Sequence, residues 1–188
     1  MRSFVDWVAE PGFHIARGWS LTEGLTGKGK YLLLPPMDRI LGHCLTPKDN
    51  GKLPYSTLIL GRIKKSGKSE DLAAIGAWYS DEAPEHSEMY YVANNEKQAV
   101  DRAFKNLQYH TEISGGRVLN TEIEFPNGTT AKCLPKVPRG VAGGQNDAVF
   151  FDELWGYTDE RSMRMWTEMT LSPASRYPLR VIASYAGY

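Results

Sequence analysis

One stretch constrains this chain more than any other. The apolar run Leu58-Ile59-Leu60-Gly61 enters the basic turn Arg62-Ile63-Lys64-Lys65-Ser66-Gly67-Lys68-Ser69, and Leu72, Ile75 and Tyr79 then recur at helical spacing. That order reads as strand, loop and helix. Backbone N–H groups in such a turn point at an anion, and the following helix adds the positive end of its dipole. Arg62, Lys64, Lys65, Ser66 and Gly67 would line a nucleotide phosphate, Lys68 would bring a mobile charge to it, and Ser69 would ligate magnesium. The alternative is a chance Gly-Lys-Ser in a chain rich in glycine and lysine. With four residues between its two glycines, a regular phosphate loop would have its first at position 62, where Arg62 stands; Gly61 comes one place early.

Composition narrows the partners. The 188 residues suit one domain, or one with a short arm, and the 22 basic residues are matched by 22 acidic ones. A neutral chain is no general attractor of nucleic acid or anionic membrane, so polyanion binding must come from a local patch, and the only dense one is Arg62 to Lys68. Cys44 and Cys133 are far apart and form no metal-ligand spacing, which favours a reducing, cytoplasmic setting over a disulfide framework or a zinc site. Tyr31 to Leu34, like every apolar run in the sequence, is too short to span a bilayer, and Asp6 and Glu10 stand where a signal peptide would be apolar.

Along the chain, Ser3 to Ala9 predicts a short helix capped by Ser3, with Phe4, Trp7 and Val8 on one side, forming a docking arm. Arg17 to Lys30 reads as loop. Pro35 to Leu45 predicts a helix with Ile40, Leu41, Cys44 and Leu45 on one face, and Lys48 to Pro54 reads as a connector. The division expected is an arm and helix over 1–50 and a nucleotide-binding core over 51–188. Beyond the phosphate-loop helix, Met89 to Ala93 predicts a buried strand. A helix follows, with Asn95 and Gln98 as a near capping box and Val100, Ala103, Phe104 and Leu107 as its apolar face. Strand and helix alternate up to this point, which argues for a parallel sheet with right-handed crossovers. Thr121 to Phe125 and Thr129 to Leu134, either side of Pro126-Asn127-Gly128, predict an added β-hairpin.

The run Ala148 to Phe151 delivers Asp152 and Glu153 at its carboxyl end. Phosphoryl transfer to water needs one carboxylate for the magnesium shell and a second to orient or deprotonate the water. Two acids capping the turn before a helix at Asp159 to Thr170 are the alternative. That helix carries Met163, Trp166 and Met169, read as core. Leu179 to Ser184 predicts another buried strand, and ligands of doubly wound sheets bind at the carboxyl ends of strands, which would bring Ser184 beside the nucleotide. Arg139, framed by Pro138 and Gly140, is either a cation held out from the body or a solvated loop residue.

With these residues in hand, the chain resembles the ATPase domain of the large terminase subunit of tailed bacteriophages, the motor that packages DNA into procapsids. Leu60 to Ala74 is similar to that family's variant Walker A loop, in which a basic stretch replaces the first glycine. Ala148 to Glu153 is similar to its Walker B strand, Val181 to Gly187 to its coupling motif, and Tyr91 to Ala99 to its segment pairing a strand-end alanine with a Gln-Ala helix start. The resemblance implies an α/β P-loop NTPase of the additional-strand, catalytic-glutamate type, with a mainly parallel central sheet flanked by helices. It assigns Lys68 and Ser69 to the phosphates and magnesium of Mg2+-ATP, Asp152 to magnesium, Glu153 to the water and Ser184 to coupling. It implies double-stranded DNA, the portal protein and the small terminase subunit as partners, no membrane, and work at the procapsid portal in the cytoplasm of the bacterial host. It also implies a homo-oligomeric ring, in which Arg139 could serve a neighbouring subunit's ATP. The family often has Pro-Trp-Gln ahead of its first helix, with the glutamine near adenine, where this chain has Pro35-Pro36-Met37. The family's nuclease domain would begin beyond Tyr188, so no DNA cleavage is expected of these residues. The rival readings are a helicase-like nucleic-acid-dependent ATPase and a non-catalytic, nucleotide-dependent assembly module.

Overall fold

The computed structural model describes residues 1–10, 33, 35–93, 103–135 and 144–185. Helices α1 (Phe4–Val8) and α2 (Pro35–Leu45) precede strand β1 (Thr57–Gly61) and helix α3 (Lys68–Glu82). Then come β2 (Glu88–Ala93), α4 (Lys105–Ile113), β3 (Arg117–Val118), β4 (Glu122–Glu124), β5 (Thr130–Pro135) and β6 (Ala148–Asp152). A 3-10 turn at Leu154–Gly156, helix α5 (Glu160–Glu168) and β7 (Leu179–Ser184) complete the described elements.

The strands form a seven-stranded sheet in the order β1-β7-β6-β2-β5-β4-β3. The first five in that order run parallel, and β4 and β3 add antiparallel at the far edge. Parallel strands are covered on both faces, and their residues therefore read as unbroken apolar runs rather than alternating ones. All five residues of β6 are buried. β1 instead lies at the edge of the sheet and alternates, with Ile59 68 % exposed. β4 and β5 pair antiparallel across Pro126–Gly128, with Ile123 opposite Ala131, and β5 pairs parallel with β2 on its other side.

Two hydrophobic layers flank the sheet. One joins Leu60, Met89, Tyr91, Phe150, Val181 and Ala183 of the strands to α1, α2, α3 and α4. The other sets Val92, Val149, Phe151 and Ile182 against Tyr157, Met165 and Met169. At about 1.5–3 kcal/mol for each large apolar side chain buried, these layers are the main favourable contribution to the fold.

The arm docks as its pattern predicts. Ser3 caps α1 by accepting from the Asp6 amide, and Phe4, Trp7 and Val8 are buried. Trp7 Nε1 donates to Asp81 Oδ2 at 3.0 Å, and Trp78 Nε1 donates to the Arg2 carbonyl at 3.1 Å. The apolar faces of two other helices differ from expectation. In α2 the buried residues are Met37, Leu41 and Leu45, one every turn, while Ile40 is 47 % exposed. Met165 of α5 and Met169 at its C-cap, one turn apart, are fully buried, while Met163, two residues before Met165 and so on nearly the opposite face, is 53 % exposed. Ala103, Phe104 and Leu107 are buried as predicted, and α4 continues to Ile113; the Asn95 cap lies outside the described residues.

Candidate active site

The turn between β1 and α3 is tied to the sheet at its first residue. Gly61 lies opposite Ser184 in the parallel ladder, and the Arg62 amide donates to the Ser184 carbonyl at 3.0 Å. The chain then reverses through two left-handed residues, Lys65 (φ 61°) and Gly67 (φ 82°). Gly67 serves as the N-cap of α3, where a Cβ would be strained by the positive φ rather than by crowding. Its carbonyl accepts the first helical bond, from Asp71 at 3.0 Å, and Ser66 Oγ closes the turn by donating to the Ile63 carbonyl at 2.7 Å.

Three charges are placed by this turn. The Lys68 ammonium curls back over it, donating to the Ile63 carbonyl at 2.9 Å and, more weakly, to the Arg62 carbonyl at 3.4 Å. The Arg62 guanidinium pairs with the Asp71 carboxylate, both largely shielded from solvent. Lys64 is exposed and extends over the ring of Tyr185.

The second half of the site comes from β6, which lies beyond β7. Asp152, 8 % exposed, is the last residue of β6 and lies opposite Ala93 of β2 and Ala183 of β7. Although β7 separates their strands, Ser69 Oγ donates to Asp152 Oδ2 at 3.3 Å. Glu153 adopts a left-handed conformation (φ 60°, ψ 50°) in which its amide donates to the Ala183 carbonyl at 2.8 Å. A non-glycine residue in this region costs on the order of 1 kcal/mol and persists only when its surroundings enforce it. The Tyr157 hydroxyl is buried without a hydrogen-bond partner among the described residues, and burial followed by the charge of Asp152 pushes its pKa up.

Lys68, Ser69, Asp152, Glu153 and Ser184 are therefore gathered at the carboxyl ends of β1, β6 and β7, together with Arg62 and Lys64 to Gly67. Ser184 contributes its carbonyl to the turn, and its hydroxyl donates weakly to the Tyr185 carbonyl at 3.4 Å. Arg139 lies outside the described residues, as do Ala186 and Gly187. Two participants carried no signal at the sequence level. Asp71 reads as a first-turn helical acid, and Tyr185 as the residue after a strand; only the tertiary fold brings them to Arg62 and to the lysines.

A hydroxyl beside a carboxylate is a hard, all-oxygen donor pair. It suits magnesium, which takes one or two protein oxygens and completes its shell with water and phosphate. Among the described residues no group of three or more His, Cys, Asp or Glu side chains could hold a metal by itself. No helix among them is long and apolar enough to cross a membrane.

No protein-family profile matches the sequence, and no curated protein does. Solved structures do. The large terminase of bacteriophage HK97 superposes with a TM-score of 0.66 at 18 % identity, over 90 % of this chain and 36 % of that one. The fold is that of the phage large terminases. A second, from the thermophilic bacteriophage D6E, gives a TM-score of 0.54 at 13 % identity over 70 % of this chain and 34 % of its own. The chain thus spans about a third of the length of each terminase. The likeness is one of backbone architecture, and it accords with the resemblance carried by the Walker-like segments.

Proposed function

We propose that this chain is the ATP-hydrolysing motor domain of a terminase large subunit, a P-loop NTPase of the additional-strand, catalytic-glutamate type, with 1–50 as an arm and helix and 51–188 as the ATPase core. The observation that carries the reading is the 3.3 Å contact between Ser69 Oγ and Asp152 Oδ2, which joins the end of the phosphate loop to the end of the acid-bearing strand. The position of β7 between β1 and β6 supports the additional-strand type.

In this reading the Arg62–Gly67 turn and the dipole of α3 receive the phosphates, and Lys68 moves from its own loop carbonyls to a phosphate oxygen. Ser69 and Asp152 hold magnesium, which supplies charge neutralisation on the phosphates when bound. Glu153 orients the attacking water and takes its proton. Ser184 links the site to the chain beyond, and Arg139 completes the site of an adjacent subunit in a homo-oligomeric ring. The substrate moved is double-stranded DNA. The partners are the portal protein and the small terminase subunit, and the work is done at the procapsid in the host cytoplasm. Terminase likeness in the fold supports this over other uses of the same loop.

Calorimetric titration with a non-hydrolysable ATP analogue tests the site. The parent protein binds in the presence of magnesium and Lys68→Ala does not, with its thermal melt retained. Equal affinity and equal turnover in the two proteins would rule out this phosphate site.

A further inference from the structure

β7 brings one more side chain to the phosphate loop than the ATPase reading uses. Tyr185 follows Ser184 directly, so the bond from the Arg62 amide to the Ser184 carbonyl holds its ring against the turn. Lys64 Nζ lies 4.6 Å from the ring centroid and Lys68 Nζ 5.5 Å from it. Both are within the distance at which an aromatic face attracts a cation. Two ammonium groups sharing one ring repel each other, and they stay together only if something between them offsets that repulsion. The carbonyls of Ile63 and Arg62 offset it for Lys68. The ring of Tyr185 serves both.

We propose that Tyr185 is a positioning residue of the phosphate loop, whose ring holds the ammonium groups of Lys64 and Lys68 together so that both charges meet an incoming polyphosphate. The proposal rests on the nucleotide reading of the loop. It acts through the lysines rather than on the phosphate, and the ring face is what it contributes. Holding two flexible side chains in place before binding removes an ordering cost that the ligand would otherwise bear.

The contact is tested without nucleotide. In protein labelled at the lysine side chains, the ring shifts the Hε resonances of Lys64 and Lys68 upfield; Tyr185→Leu abolishes the shift and Tyr185→Phe keeps it. The effect on binding is tested with a series of singly to multiply fluorinated phenylalanines at position 185, which are close in shape and progressively weaken the ring's attraction for cations. Affinity for a non-hydrolysable ATP analogue falls stepwise along the series, by about two- to fivefold for each cation lost, with Tyr185→Phe near the parent. Unshifted lysine signals in the parent overturn the proposal. So does a flat series in a protein whose binding Lys68→Ala abolishes, and that result leaves the nucleotide site standing. A parent protein that binds no analogue overturns the nucleotide reading and this proposal with it.

Discussion

The amide of Glu153 donates to the carbonyl of Ala183 at 2.8 Å, and this bond across the ladder holds Glu153 in the left-handed region. The conformation turns its side chain out of the strand direction that Asp152 follows. Glu153→Gln keeps the shape but loses the base, so ATP still binds and turnover falls by about two orders of magnitude or more. Glu153→Gly abolishes turnover as well, and glycine adopts this φ without strain. Parental turnover in Glu153→Gln would contradict the assignment.

Arg139 is expected to act on a neighbour's ATP. An isolated subunit then binds ATP but hydrolyses it slowly, and the rate per subunit climbs with protein concentration. Arg139→Ala removes the climb and spares affinity; arginines of this kind contribute about three to five orders of magnitude. Mixing Arg139→Ala with Glu153→Gln subunits pairs an intact glutamate with an intact arginine at some interfaces. Activity recovered in the mixture supports a trans role, and an assembled mixture no more active than either variant counts against it.

The long helix behind the phosphate loop is held close to the sheet by a missing side chain. A Cβ on Gly76 would lie 1.8 Å from Tyr91 Oη and 3.0 Å from Cζ, and that hydroxyl donates to the Leu72 carbonyl. Gly76→Ala therefore destabilises by about 1–3 kcal/mol despite the better helix propensity of alanine. Adding Tyr91→Phe removes the nearest atom and recovers part of the loss. Denaturant midpoints of the three variants read this out, and a stabilised Gly76→Ala would mean that the helix has room to move.

Docking of the arm depends on pH through Asp81. Burial pushes its carboxyl up from 3.8; the Trp7 hydrogen bond, His110 and Arg2 pull it down, and Glu82 pushes it up. A carboxyl whose folded pKa exceeds its unfolded one binds more protons when folded. Its contribution to stability is full below the unfolded value and is lost as pH rises through the folded one. Asp81→Asn keeps an oxygen for Trp7 Nε1 and removes the titration. The melting temperature of the variant minus that of the parent should thus increase from acid to neutral pH. A constant difference would remove Asp81 from the pH dependence.

Much of this arrangement is legible in the sequence because the central strands are buried on both faces. Met89 to Ala93, Ala148 to Phe151 and Leu179 to Ser184 read as strands for that reason, and the acids at the end of β6 are visible as soon as the run is. The helix faces were less legible. Ile40 and Met37 differ in angle by too little for periodicity to separate, whereas Met163 and Met165 point to nearly opposite faces of α5, and it is Met165 that meets the sheet. The edge position of β1 is a matter of strand order, on which an apolar run says nothing. The pairing of Arg62 with Asp71 and the approach of Tyr185 to Lys64 and Lys68 arise only once β1, α3 and β7 are assembled.

The adjacent carbonyls of Ala183 and Ser184 accept from Glu153 and Arg62 respectively, so a single strand grips both halves of the site. Those two bonds run crosswise to β7, and a tug on the chain beyond Tyr185 loads both in shear at once. The acid-bearing turn and the phosphate loop are thus yoked to one cable, gripped at neighbouring links.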